Sequence, residues 1–178
     1  MRGRALSPEV LDRALALKET PRAGWQRVGL ETPESVAAHS WGVAWLALVL
    51  TPPELDRERV LALCLLHDLP EAVVGDVTPH DGVPRQVKAD RERSAAATLL
   101  GARPDLWGLW EDYEKDRSAE AHFVHELDRL DMALQAIRYA REQGLDPAEF
   151  LSSARQGLHS PALLAVLEAG LRGQAATG

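Results

Sequence analysis

The sequence predicts an all-α, single-domain helical bundle, on three observations. Leu (28) and Ala (27) make up nearly a third of the 178 residues, and both favour helix. Ile occurs once and Val plus Thr add only 19, so the β-branched residues that a sheet uses are scarce. Apolar residues recur at helical spacing along most of the chain, between short breaks marked by Pro or Gly. The length suits one domain of ~100–200 residues.

Taken in order, Ser7-Pro8-Glu9 reads as an N-cap, a first-turn proline and an early acid. The helix it opens runs to about Glu19. Thr20 to Pro33 reads as loop, punctuated by Pro21, Gly24, Gly29 and Pro33. A helix from about Glu34 to Leu50 stops at Pro52-Pro53. Leu55 to Asp68 forms another, apolar on nearly all sides from Val60 to Leu66 and therefore buried. Pro70 and Glu71 open a short segment that ends by Gly75, and Asp76–Pro84 reads as loop. Helices follow over Arg85–Leu100, Pro104–Lys115, Ser118–Gln143, Pro147–Gln156 and Pro161–Leu171, with Gly101 and Gly144 at C-cap positions.

Composition excludes several classes. Apolar content of 46% with 26% charged residues is that of a folded chain, not a disordered one. The longest apolar run, Trp41–Leu50, is too short to span a membrane. The start, Met1-Arg2-Gly3-Arg4, leads into no apolar stretch of signal-peptide type. Cys64 is the one cysteine, which excludes an intrachain disulfide and fits a cytoplasmic location. A net charge of −7 disfavours a nucleic acid polymer as partner. Cys64 sits inside an apolar helix, where a thiol is a poor nucleophile. The chain has no Gly-rich phosphate loop and no CxxC pair.

The informative residues are polar ones on apolar faces. His39 lies on the stripe Val36, Val43, Leu46 and Leu50. Asp68 falls on the side of Leu61, Cys64 and Leu65, where a carboxylate must be protonated, paired or metal-bound. Glu71 follows His67 by four residues and shares its face if the helix continues. In the long helix, Phe123, Leu127, Leu130, Leu134 and Ile137 form a core stripe, flanked by Asp128, Asp131 and Gln135. His122 and His125 project to the opposite side and read as surface residues, despite the spacing His122-x-x-His125-x-x-Asp128. His39, His67, Asp68 and Asp128 can converge from three helices on one divalent cation. Mixed imidazole and carboxylate donors suit Mn, Fe, Co, Ni or Zn better than Ca or Mg.

This order of residues, His39, then His67-Asp68, then Asp128, resembles the H…HD…D signature of the HD-domain metal-dependent phosphohydrolases. The finer resemblance is to the 5′-deoxynucleotidase subgroup. It is carried by Pro33-Glu34-Ser35-Val36-Ala37-Ala38-His39-Ser40, by His67-Asp68-Leu69-Pro70-Glu71-Ala72-Val73-Val74-Gly75-Asp76, and by Leu127-Asp128-Arg129-Leu130-Asp131-Met132. Arg22-Ala23-Gly24-Trp25-Gln26-Arg27 resembles the subgroup's Arg/Trp loop, here a residue shorter than in some relatives. The position before His39, usually acidic in the subgroup, is Ala38.

The resemblance implies one HD domain over residues 1–178, with its motifs at about 21–140 and C-terminal helices at 145–172. It implies a homodimer that hydrolyses deoxyribonucleoside 5′-monophosphates to deoxyribonucleoside and phosphate. The metal ligands map onto His39, His67, Asp68 and Asp128. Glu71 and Asp76 map onto acidic residues beside the metal that handle water and substrate. Arg22 and Trp25 map onto the loop that meets phosphate and sugar. Arg22 offers a guanidinium to a nearly dianionic phosphate, Lys88 and Arg27 are further cations, and Arg85 reads as solvated. Trp41, Trp45, Trp107 and Trp110, at helical spacings, read as core or dimer-contact residues. The alternatives are an HD phosphohydrolase acting on another nucleotide or a phosphodiester, and a non-catalytic helical protein that binds metal or nucleotide.

Overall fold

A computed structural model describes residues 5–175. It is helical throughout; among the described residues the one β-type pairing is an isolated antiparallel bridge between Pro21 and Ser35. That bridge, with Arg22 N–H donating to the Glu34 carbonyl and Val36 N–H to the Thr20 carbonyl, ties the 20–35 segment back on itself.

The helices are α1 (Pro8–Leu15), α2 (Ala23–Arg27), α3 (Val36–Leu50), α4 (Arg57–Leu66), α5 (Glu71–Val74), α6 (Arg85–Leu100), α7 (Pro104–Glu114), α8 (Ala119–Gln143), α9 (Ala148–Gly157) and α10 (Pro161–Ala175). Their starts are written in side chains. Ser7, Ser35 and Ser118 each accept a hydrogen bond from a backbone N–H three residues on, and Asp56 accepts from Glu58 and Arg59. At α10 the cap comes from elsewhere: the buried Glu126 carboxylate accepts from His159 and Ser160 N–H at 2.8 Å each.

α8 is the axis of the bundle. Its stripe of Phe123, Leu127, Leu130 and Ile137 is buried, with Leu134 packed at the edge. α3, α4, α9 and α10 pack around it, filling the space with Val43, Val60, Leu63, Leu151, Leu163 and Leu167. A second cluster joins α4, α6 and α7 through Leu66, Ala96, Leu99, Leu100 and Trp110. A third holds α2 against α8 and α9 through Trp25, Tyr139 and Phe150.

Several expectations need correction. The 20–33 segment is not all loop: Ala23–Arg27 is a turn of helix, held by the burial of Trp25 on Tyr139 and Phe150, which local propensity does not register. The first helix ends at Leu15 and continues as a 3-10 turn over Ala16–Lys18. α4 is not buried all round, since Leu65 is exposed. Gly101 and Gly144 both sit at the C-cap as expected, Gly144 left-handed (φ 71°) and Gly101 right-handed (φ −58°). Of the tryptophans read as core or dimer-contact residues, Trp110 is buried in the core, while Trp41 and Trp45 stand out from α3 at 68% and 53% exposure. Arg85 is exposed, as expected.

Candidate active site

Four side chains from α3, α8 and the turn after α4 meet under the third helix cluster. α4 ends at Leu66, and the chain turns through 67–70 into α5, so that His67 and Asp68 leave the helix pointing inward. His39 comes from the second turn of α3, and Asp128 from the middle of α8. His39 Nε2 lies 3.0 Å from Asp128 Oδ1 and 3.7 Å from Asp68 Oδ2. His67 Nε2 lies 3.2 Å from Asp68 Oδ2 and 3.4 Å from His39 Nε2. Both imidazoles are buried.

The outer nitrogens decide which way the inner ones face. His67 Nδ1 sits 2.8 Å from the Cys64 carbonyl, which only accepts, so Nδ1 carries the proton. His39 Nδ1 sits 2.7 Å from Asp131 Oδ2 and donates in the same way. Once neutral, as a metal ligand must be, each ring aims an Nε2 lone pair at the other ring, His39 towards Asp68 and Asp128 and His67 towards Asp68. An inward-facing set made entirely of acceptors calls for a cation. His39, His67 and Asp128 offer donor atoms within 4.8 Å of one another, and Asp68 adjoins them. The donor set fits a divalent transition metal.

The ionisation of the groups reflects the same demand. Burial and the nearby Arg22 oppose a proton on His39, but the bonded Asp128 and Asp131 outweigh both and lift its pKa to about 10. Burial raises both carboxylates, yet His67, Arg22 and His39 hold Asp68 well below the usual range, and His39 brings Asp128 down to about 2. Burial pushes the Cys64 thiol up to about 12, which fits an inert thiol.

Asp68 and Asp128 line a cleft of about 390 Å³, the size of a small-molecule site, with the two imidazoles buried behind them. Arg22, Trp25, Glu71, Asp76 and Lys88 all line it. Arg22 Nη1 donates to Asp68 Oδ2 at 3.4 Å. Glu71 is buried at 5% exposure, and among the described residues its Oε2 has no hydrogen-bond partner. Burial first, then the Asp68 and Asp76 charges, raise Glu71 to about 10. Asp76 Oδ2 accepts from Ala23 N–H at 2.8 Å, which fixes the start of α2 to the loop after α5. Lys88 reaches in from α6 and pairs with Glu92 at 3.4 Å. Trp25 is 1% exposed; its Nε1 donates to Glu34 at 3.0 Å, so the ring is packed as well as lining the cleft.

His122 and His125 stay outside the cluster; His122 is a surface residue as expected, but His125 is half-buried and not a surface residue. His122 is exposed beside Asp116, and His125 stacks on Tyr113 and bonds its carbonyl. Arg27 pairs with Glu149 at the cleft mouth, where Glu149 also meets His80 at 3.2 Å. Tyr113, Phe150 and Glu149 line the cleft without having been singled out in the sequence. They sit on helices with ordinary amphipathic patterns and carry no local signal. Ala38 is exposed on the outer side of α3 and does not face the cluster.

Comparison with known proteins gives a consistent picture. The HD domain family model matches residues 14–163. The 5'-deoxynucleotidase HDDC2 of Danio rerio is 36% identical over 159 residues, covering 85% of this chain and 80% of that protein. The 5'-deoxynucleotidase HDDC2 of Homo sapiens is 40% identical over 128 residues, covering 69% of this chain and 63% of that protein. The match thus spans a little under two thirds of the human relative. Among solved structures, the PH0347 protein from Pyrococcus horikoshii OT3 is similar at a TM-score of 0.81 and 29% identity, covering 93% of this chain and 99% of that one. The "Predicted metal-dependent phosphohydrolase" from Magnetospirillum magnetotacticum MS-1 is similar at 0.71 and 28%, covering 94% and 90%.

Proposed function

The chain belongs to the HD domain family, and on that premise we propose that it hydrolyses deoxyribonucleoside 5′-monophosphates to deoxyribonucleoside and phosphate. One observation carries the reading: two imidazole Nε2 atoms 3.4 Å apart meet Asp68 and Asp128, and those carboxylates open onto a cleft sized for a nucleotide. The names of the relatives agree with it. His39, His67, Asp68 and Asp128 would hold the metal. When bound there, a divalent cation supplies Lewis-acid polarisation of a phosphoryl oxygen and lowers the pKa of a coordinated water.

The chain's own residues do the rest. Arg22 leans on Asp68 and presents its remaining N–H groups to phosphate oxygens, in the forked geometry that suits them. Lys88, also in the cleft wall, adds positive charge. Glu71 has a buried, unpartnered oxygen next to the ligands; it orients the attacking water, and takes its proton once a bound cation has displaced the proton that the metal-free carboxyl holds. Asp76, held by Ala23 N–H through one oxygen, keeps the other for the leaving 5′-oxygen or a sugar hydroxyl. Trp25 closes the sugar end, where a 2′-hydroxyl would meet an apolar wall.

The protein works as a cytoplasmic homodimer in this reading. Among the described residues no helix is long and apolar enough to cross a membrane. Trp41, Trp45, Leu48 and Val49 give α3 an exposed apolar face suited to a second copy.

Phosphate release from paired ribo- and deoxyribonucleoside monophosphates, with cyclic dinucleotides alongside and Mn, Co, Ni or Zn added in turn, tests the activity. The expected result is turnover of the deoxy monophosphates above their ribo partners. Release from none of them, with any ion, contradicts the proposal.

A further inference from the structure

We infer that Asp131, seated against Gly42, is a positioning residue of the metal centre that fixes the tautomer and ring orientation of His39. The inference rests on His39 being a ligand, as proposed above. The two histidines are held by different groups. His67 leans on a neutral backbone carbonyl, from Cys64, 2.8 Å away. His39 leans on a carboxylate, at 2.7 Å, one turn of α8 beyond Asp128. A carboxylate behind an imidazole locks the proton on Nδ1 and leaves Nε2 more basic, which strengthens it as a ligand.

Asp131 reaches His39 because α3 has a notch. A Cβ placed on Gly42 would lie 2.2 Å from Asp131 Oδ1 and 3.0 Å from its Cγ, so an alanine cannot coexist with the carboxylate where it stands. Gly42 lies mid-helix, where glycine costs roughly 0.5–1 kcal/mol relative to alanine. Helix propensity therefore argues against a glycine here, and the approach of Asp131 explains it. Neither residue lines the cleft that holds Arg22 and Glu71. Both border a separate hollow on the far side of His39, with Glu34 and Arg138. Asp131 thus reaches the proposed metal centre through His39 and not through the cleft.

The test is Co²⁺ affinity, measured by competition with a chelator on metal-free protein, for wild type, H39A, D131A, D131N and G42A. D131N is the decisive variant. It keeps the size of aspartate, but an amide can either accept from Nδ1 or donate to it, so the tautomer is released. D131A, D131N and G42A are expected to bind Co²⁺ some 10–100-fold more weakly while remaining folded by circular dichroism. Imidazole ¹⁵N spectra of the metal-free proteins, recorded at a pH alkaline enough for His39 to be neutral, are expected to show a single His39 tautomer in wild type and a mixture in D131N. If D131A does not fold, D131N and G42A carry the test. Wild-type affinity in D131N together with an unchanged tautomer overturns the inference. Wild-type affinity in H39A overturns instead the ligand assignment beneath it.

Discussion

His39 and His67 present their Nε2 atoms to each other across 3.4 Å, each ring turned that way by an acceptor behind it. Two lone pairs and two carboxylates do not share a buried space without a positive charge between them. His67→Ala or Asp68→Ala is therefore expected to remove bound metal and phosphatase activity together. Metal content by elemental analysis, beside phosphate release on the same preparations, checks this. Full metal content in both variants contradicts the ligand assignment.

Glu71 separates metal binding from chemistry. Its carboxyl sits beside the ligands with one oxygen unpartnered. Glu71→Ala is expected to keep the metal and to lower turnover by roughly 10²-fold or more, the scale of lost acid–base assistance. Single-turnover rates at saturating substrate measure this directly. An unchanged rate removes Glu71 from the reaction.

Arg22 is a phosphate ligand in this account, and a lysine cannot replace its fork. Arg22→Lys is expected to lower kcat/KM by about 10–100-fold, the equivalent of one or two charge-assisted hydrogen bonds. The loss should fall mainly on KM if the contact is made equally in the ground state. Steady-state kinetics on a deoxyribonucleoside monophosphate decides it, and unaltered kcat/KM excludes the role.

The metal-free protein should lose stability as pH rises. His39 has its pKa raised from 6.5 to about 10 in the folded chain, so its contribution is complete below pH 6.5 and lost on the way to pH 10. Glu71, raised from 4.5 to about 10, acts in the same direction over a wider range. Asp128 acts oppositely and only in acid: its contribution is present above pH 3.8 and is lost as pH falls through about 2. Thermal midpoints in chelator are thus expected to fall between pH 6.5 and 10, and a divalent cation should flatten the fall by taking the place of the protons. Midpoints that hold level or rise in chelator contradict the electrostatics of the cluster.

Much of this was legible in the chain. Helix starts follow from Ser7, Ser35 and Ser118, because capping is a contact between near neighbours. His39 and Asp68 announce themselves as polar residues on apolar faces. Their meeting point does not, since it depends on how α3, α4 and α8 pack. The α2 turn was hidden because its stability comes from Trp25 lying on Tyr139 and Phe150, which are more than a hundred residues away. Asp131 was visible as a flank residue of α8, but its bond to His39 requires the notch at Gly42 on another helix. The exposure of Leu65, Trp41 and Trp45 also lies beyond periodicity, which marks an apolar face without saying what covers it.

That apolar face of α3 yields the assembly prediction. Trp41→Glu with Trp45→Glu is expected to convert a dimer to a monomer by light scattering, with the metal content intact. A wild-type chain that runs as a monomer excludes this surface as a self-contact.

A crystal structure of the protein grown with Mn²⁺, with anomalous data collected, tests the centre of the account. The expected result is one strong anomalous peak in bonding contact with Nε2 of His39, Nε2 of His67 and the carboxylates of Asp68 and Asp128. A map with no peak among those four side chains, or with the ion bound elsewhere, contradicts it.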